Sequence, residues 1–165
     1  MKSLKNLAFA VILVLSASAA RPADRHPYPP ANQARTDVAK ALRTAATTHK
    51  RVILDFGGNW CPDCQVLDIY LHNSQNLPIL NKNFVLVHVN IGEYDSNLDL
   101  AKRYDVPLKR GVPALVVLSD HGKLLYSQKQ GQFEAMSRMD PSSVTRFLVQ
   151  WRPPQAGCSM MTVNC

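Results

Sequence analysis

Four cysteines are the residues best equipped for chemistry in this chain, and they form two local pairs: Cys61 with Cys64, and Cys158 with Cys165. The two residues between Cys61 and Cys64 let the sulfurs meet at the start of a helix. Unsatisfied backbone N–H groups and the positive end of the helix dipole favour a thiolate there. A thiolate is the species that attacks a disulfide. On this reading Cys61 is the exposed nucleophile, and Cys64, one turn in and shielded, is the thiol that resolves the mixed disulfide. A C-x-x-C can also be half of a zinc site or a static bridge. No second C-x-x-C or well-spaced Cys/His pair is present to complete four zinc ligands, so no metal site is expected. The position of the motif, after a predicted strand and Gly57-Gly58-Asn59-Trp60, argues against a static bridge.

The residues inside the motif bear on the direction of electron flow. Pro62 at the helix start stiffens the loop and removes no needed donor. Asp63 places a carboxylate between the cysteines, which disfavours a thiolate and makes the disulfide comparatively favourable. The expected site leans towards reduction of its partners. The second pair brackets six residues after a Pro153-to-Gly157 linker. Three readings remain open for it: a structural disulfide Cys158–Cys165, a redox tail that exchanges with Cys61–Cys64, or a soft Cu(I) cluster with Met160 and Met161.

The elements that must position the dithiol follow from apolar spacing. Val38, Ala41, Leu42 and Ala45 recur at helical spacing within residues 32–49. Residues 51–56 form a short apolar run closed by Gly57-Gly58, a buried strand. Val66, Leu67, Tyr70 and Leu71 predict a helix from Pro62 onward, and residues 73–83 read as loop and turn. Strands are expected over 84–89 and 114–118, with a helix over 97–104 between them. A turn at Asp120-His121-Gly122-Lys123 leads into a hairpin strand over 124–127. Asp140 as cap and Pro141 as first residue open a last helix, buried through Val144, Phe147, Leu148 and Trp151. Parallel β-α-β units followed by an antiparallel hairpin and a closing helix predict an α/β fold, a central mixed sheet flanked by helices.

Composition bounds the rest. With 165 residues, 46% of them apolar, the chain can bury one core, so one folded domain is expected. Lys2 and Lys5, the apolar run 7–15 and the small residues 16–20 have the layout of a signal peptide, and the run is too short for the roughly 20 residues of a membrane span. The expected organisation is therefore a signal peptide over 1–20, a Pro-rich extended linker over 21–31, a folded domain over 32–152 and a Cys-bearing tail over 153–165. Export, to a bacterial periplasm, would place the cysteines where they are normally paired or catalytic. The net charge of +7 falls to about +5 without Lys2 and Lys5 and is scattered, so no nucleic-acid partner is expected.

The stretch from Asp55 to Cys64 resembles the thioredoxin active-site sequence, an Asp-Phe strand end leading to Trp-Cys-x-x-Cys, and Gly111-Val112-Pro113 resembles the cis-proline loop of the same family. The similarity extends over about residues 34–151, and the chain most resembles the periplasmic, C-terminal thioredoxin-like domain of the transmembrane disulfide reductase DsbD. The resemblance implies a thioredoxin fold. It also implies that Asp55 is the buried acid handling the proton of Cys64, and that Asp68 is the acid one turn beyond Cys64. Trp60 would shield the dithiol and join the partner surface. Pro113 would be cis, and Val112 would pair through its backbone with an extended substrate segment. His88 departs from the family by replacing a lysine near the buried acid, and Gly57-Gly58 replaces bulkier residues.

Together these features predict a monomeric thiol–disulfide oxidoreductase with Cys61, Cys64, Asp55 and Asp68 as catalytic residues. Trp60, Pro62, Asp63, Val112 and Pro113 would meet the substrate. No bound organic cofactor is required, since electrons pass between protein thiols and disulfides, with a membrane dithiol protein as donor. A dithiol oxidase or isomerase, a copper-handling module and a redox-silent interaction domain are the competing readings.

Overall fold

The computed structural model describes residues 26–154. The signal-like segment 1–20 and the pair Cys158/Cys165 lie outside the described residues. Helix α1 (Ala34–Thr48) leads into strand β1 (Arg51–Gly57). After the dithiol turn come α2 (Pro62–Leu71), α3 (Leu77–Asn83) and strand β2 (Phe84–Asn90). Helix α4 (Leu98–Arg103), strands β3 (Ala114–Leu118) and β4 (Leu124–Ser127), and α5 (Ser142–Trp151) complete the order.

The strands form one sheet in the order β2-β1-β3-β4. Strand β1 pairs parallel with β2 and antiparallel with β3, and β3 pairs antiparallel with β4. The sheet is mixed, as expected, but it holds a single parallel unit, because β3 runs against β1. Both faces of the sheet are covered. Val52, Leu54 and Phe56 pack with α1, α4 and Val116 on one side. Ile53, Leu115 and Val117 pack with Leu67 and Leu71 of α2, Leu80 of α3 and Leu148 of α5 on the other. Covering both faces explains why β1 and β3 read as continuous apolar runs. Among the described residues no helix is long and apolar enough to cross a membrane.

Three sequence expectations need correction. Residues 77–83, read as loop, form α3. Pro78 is tolerated in the first turn, where its missing N–H is not needed, and Leu80 is buried. The Asn73 side chain accepts from the N–H groups of Gln75 and Asn76 just before the helix. Helix α5 starts at Ser142, one residue later than expected, with Pro141 preceding it. The N-cap is therefore Pro141 rather than Asp140, whose carboxylate accepts from Ser142 N–H at 2.7 Å from one position further out.

The third correction concerns the linker. Residues 26–30 are packed against the domain rather than extended away from it, and Tyr28 is buried in the core. Tyr28 exchanges two backbone bonds with the Asn59 side chain, at 3.0 and 2.8 Å, and Asn90 donates to Pro29 O at 2.9 Å. The prolines fix the segment in an extended form that leaves its backbone groups available to these side chains.

Helix α5 seals the outer face of the sheet through Leu148, which is fully buried. Leu148→Ala is expected to lower unfolding free energy by about 2–5 kcal/mol, measured by urea denaturation. A loss below about 1 kcal/mol would show that α5 does not close this core.

Candidate functional site

Strand β1 delivers the chain to the dithiol. Gly57 ends the strand, a tight turn closes with Cys61 N–H donating to Gly58 O at 3.1 Å, and α2 starts at Pro62. Cys61 is the N-cap of α2, its sulfur accepting from Cys64 N–H at 3.2 Å. The two cysteines are joined by a disulfide with Cα atoms 5.3 Å apart. When that bond is reduced, the same N–H and the helix terminus face the Cys61 sulfur and stabilise negative charge on it.

The sulfurs differ in access, though less than the sequence implies. Cys61, expected to be exposed, is 4% exposed, while Cys64 is fully enclosed. The narrow opening over Cys61 exists because the loop before β3 folds across it, bringing Val112 O to 3.6 Å from Cys61 Sγ. The Val112–Pro113 peptide bond in this loop is cis. Gln128, itself buried, braces the loop: its side-chain amide donates to Pro113 O at 3.1 Å and its carbonyl accepts from Leu115 N–H at 3.3 Å. Nothing in the local sequence around Gln128 announces this role.

Trp60 stands beside the opening, 41% exposed. Its indole N–H donates to Gly92 O at 2.6 Å and its ring lies 5.5 Å from that of Tyr94. Gly58 permits this placement, since a Cβ there would sit 2.5 Å from Trp60 Nε1. The Asp63 carboxylate accepts from Ser137 N–H at 2.7 Å, in a short turn over Met136–Arg138. Its carboxylate therefore ties α2 to the segment before α5 as well as adding negative charge near Cys61.

Behind Cys64 lies a buried polar cluster. Asp55 is fully buried, and its Oδ2 accepts from the Tyr28 hydroxyl at 2.7 Å and shares a hydrogen bond with His88 Nδ1 at 2.9 Å, while Oδ1 makes no hydrogen bond. The register of the sheet produces the pairing: Asp55 and His88 are partners across β1 and β2, so both side chains face the same side. Helix α2 covers that side and brings Asp68 Oδ1 to 3.6 Å from His88 Nε2 and 2.9 Å from His72 Nδ1. The Tyr28 and His88 rings meet edge to face at 5.0 Å. Burial alone would lower the His88 pKa, but the hydrogen bond to Asp55 and the charges of Asp55 and Asp68 outweigh it and raise the value. Burial, reinforced by Asp55, holds the Tyr28 phenol well above its ordinary range.

The structure thus brings together Cys61, Cys64, Asp55, Asp68, Trp60, Pro62, Val112 and Pro113, and bonds the Asp63 carboxylate to Ser137 in the segment before α5. Sequence reading missed Tyr28, His72 and Gln128, and noted His88 only as a departure.

A redox dithiol at a strand–helix junction, set against a loop from the next strand, defines a thiol–disulfide oxidoreductase on a thioredoxin fold. The thioredoxin-like family pattern matches residues 32–119. A disulphide isomerase from Xylella fastidiosa Temecula1 is 37% identical in sequence and superposes with a TM-score of 0.72, the match spanning 76% of this chain and 96% of that one. A thioredoxin from Thermus thermophilus shares the fold at 22% identity and a TM-score of 0.51, over 74% of this chain and 83% of that one. The chain belongs to the thioredoxin-like family. These matches do not assign it to the DsbD-type subgroup.

Two outcomes follow from this geometry. Gln128→Leu removes both bonds to the Pro113 loop and leaves two buried polar groups unpaired, so unfolding free energy should fall by about 1–3 kcal/mol in urea titrations. An unchanged midpoint would mean that the loop holds itself. Because folding raises the His88 pKa, the stability His88 contributes is full below about pH 6.5, its ordinary value, and is lost as pH rises through the folded value. Chemical denaturation from about pH 6 to 9 should show that decline in the wild type and a flatter profile in His88→Gln. Identical profiles would remove His88 as its source.

Proposed function

We propose that this oxidoreductase is an exported reductase of protein disulfides. The observation that carries the direction is the charge around the dithiol: Asp63 stands between the cysteines and Asp55 is buried behind Cys64, with no cation in the Cys-Pro-Asp-Cys loop. Negative charge opposes a persistent thiolate, so the reduced site gives its electrons away readily. Export rests on the layout of residues 1–20, a charged start, an apolar run and a small-residue cleavage region.

In the proposed cycle the Cys61 thiolate attacks one sulfur of a substrate disulfide and a mixed disulfide forms. Cys64 then loses its proton and attacks Cys61, releasing the substrate as a dithiol and closing the Cys61–Cys64 bond. The Val112 backbone beside the sulfur suits an extended polypeptide laid along the loop. A hollow of about 450 Å³ lined by Tyr94, Leu98, Leu108, Lys109 and Gly111 continues from the Trp60–Tyr94 pair and would accept apolar side chains of that polypeptide. A dithiol protein in the membrane is the proposed electron donor. One observation favours a second reading: the 37% identity to a disulphide isomerase. An isomerase uses the same attack but lets the substrate, rather than Cys64, resolve the mixed disulfide.

The reduction potential of Cys61–Cys64, read by Trp60 fluorescence with Cys158 and Cys165 replaced by Ser, tests the direction. A value near about −270 mV is expected, whereas one near about −120 mV would make the protein an oxidase. Cys64→Ser separates the remaining readings: it should abolish net reduction of a substrate disulfide, whereas retained reshuffling of a scrambled-disulfide protein would establish the isomerase.

A further inference from the structure

The enclosed position of Cys64 raises a question that the dithiol alone does not answer. Before it can attack Cys61, Cys64 must lose a proton, and it has no contact with water through which to do so. The geometry around Gly57 supplies a route. A Cβ on Gly57 would lie 2.5 Å from the Tyr28 hydroxyl oxygen and 2.7 Å from Cys64 Sγ. Both atoms therefore border the space that a side chain at residue 57 would fill, and the bare glycine leaves that space open between them. The same hydroxyl donates to Asp55 Oδ2 at 2.7 Å. Tyr28 thus bonds the buried carboxylate and borders the same space over Gly57 as the resolving sulfur.

We propose that the Tyr28 hydroxyl relays the proton between Cys64 and Asp55, and that His88, Asp68 and His72 carry it on to the surface. The proposal rests on the dithiol-exchange reading above. In the resolving step the Cys64 S–H bond breaks as its proton passes to the Tyr28 oxygen, while the Tyr28 proton passes to Asp55 Oδ2. The Cys64 sulfur bonds to Cys61 Sγ, the bond from Cys61 to the substrate sulfur breaks, and the electron pair leaves on that sulfur. The dithiol is oxidised, the substrate disulfide is reduced, and Tyr28 is regenerated.

Asp55 then discharges through His88. With His88 neutral and protonated on Nε2, the Asp55 proton passes to Nδ1, 2.9 Å away, as Nε2 releases its own towards Asp68, whose Oδ1 stands 3.6 Å off; the reverse transfer, when the disulfide is next reduced, returns a proton to Cys64 and restores the tautomer. Asp68 Oδ1 is 2.9 Å from His72 Nδ1, and the His72 side chain is 39% exposed. The groups facing His88 are thus Tyr28 from the N-terminal segment, Asp55 from β1 and Asp68 from α2, with His72 beyond. Tyr28 suits a relay because its phenol, held well above its ordinary range by burial and by Asp55, keeps a proton between transfers. The backbone bonds of Tyr28 to Asn59 hold it in place independently of its hydroxyl.

The test uses the full chain with Cys158 and Cys165 as Ser, reduced and mixed rapidly with an aromatic disulfide whose two thiolates absorb on release. The first release reports attack by Cys61 and the second reports resolution by Cys64. Tyr28→Phe should slow the second phase by about tenfold or more and flatten its pH dependence, leaving the first phase unchanged. Asp55→Asn should slow the same phase, and the double variant should be no slower than the worse single one, because the two groups act in series. An unchanged second phase in Tyr28→Phe overturns the relay, as do equal slowing of both phases or multiplicative losses in the double variant. Should Tyr28→Phe not fold by circular dichroism, His88→Gln, which keeps the hydroxyl, must still slow the second phase and shift its pH profile, and failure to do so also overturns it. A wild-type chain that releases neither thiolate would remove the exchange reading and the relay together; an active wild type isolates the relay.

Discussion

A carboxylate sealed inside a protein is the constraint around which this structure is arranged. Asp55 sits on the central strand, fully buried, in a run otherwise made of apolar side chains. Burying an ionised group without partners is strongly unfavourable, so hydrogen-bonding groups must be brought to it. They come from two distant parts of the chain: the Tyr28 hydroxyl from the N-terminal segment and His88 from the neighbouring strand. Meeting that requirement draws residues 26–30 into the domain, and the same pairing sits at a fixed point in the register of β1 against β2. A slip of one residue would turn His88 to the opposite face.

The dithiol end of the strand is governed by close approach rather than by charge. Gly57 leaves room for the Tyr28 hydroxyl and the Cys64 sulfur, and Gly58 leaves room for the Trp60 indole. The flexibility that a glycine pair suggests in the sequence is therefore absent in use, because both positions are crowded by ring atoms. The cis Val112–Pro113 loop covers the nucleophile, and Gln128 holds that loop by two buried hydrogen bonds. An opening as narrow as the one over Cys61 admits an extended backbone more readily than a folded surface.

Function divides accordingly between an outer and an inner side of one disulfide. Outside, Trp60 and Tyr94 offer exposed aromatic surface beside the Cys61 sulfur. Inside, behind Cys64, lies the buried cluster of Tyr28, Asp55 and His88, to which the relay is proposed to pass its proton. The proposed reductase needs both, since attack depends on access and resolution depends on deprotonation in a dry interior. The wider charge of the chain, scattered over its surface, contributes to neither.

Local pattern alone determined much of this protein. Among the described residues, apolar spacing identified four of the five α-helices and all four strands, because both faces of the sheet are covered and the periodicities are therefore strong. The Cys61–Cys64 motif, its strand-to-helix setting and the acid at residue 55 were legible for the same reason: each is a short-range pattern. Helix α3 escaped because Pro78 and the neighbouring asparagines resemble a turn until burial of Leu80 decides the matter. Tyr28 looked like part of a linker, and its partner Asp55 is 27 residues away; His88 and Asp55 are 33 apart. No window of sequence contains such pairs. The sheet register, the cover of α2 and the bare backbone at Gly57 bring them together, so the buried polar cluster behind the dithiol exists only in the folded chain.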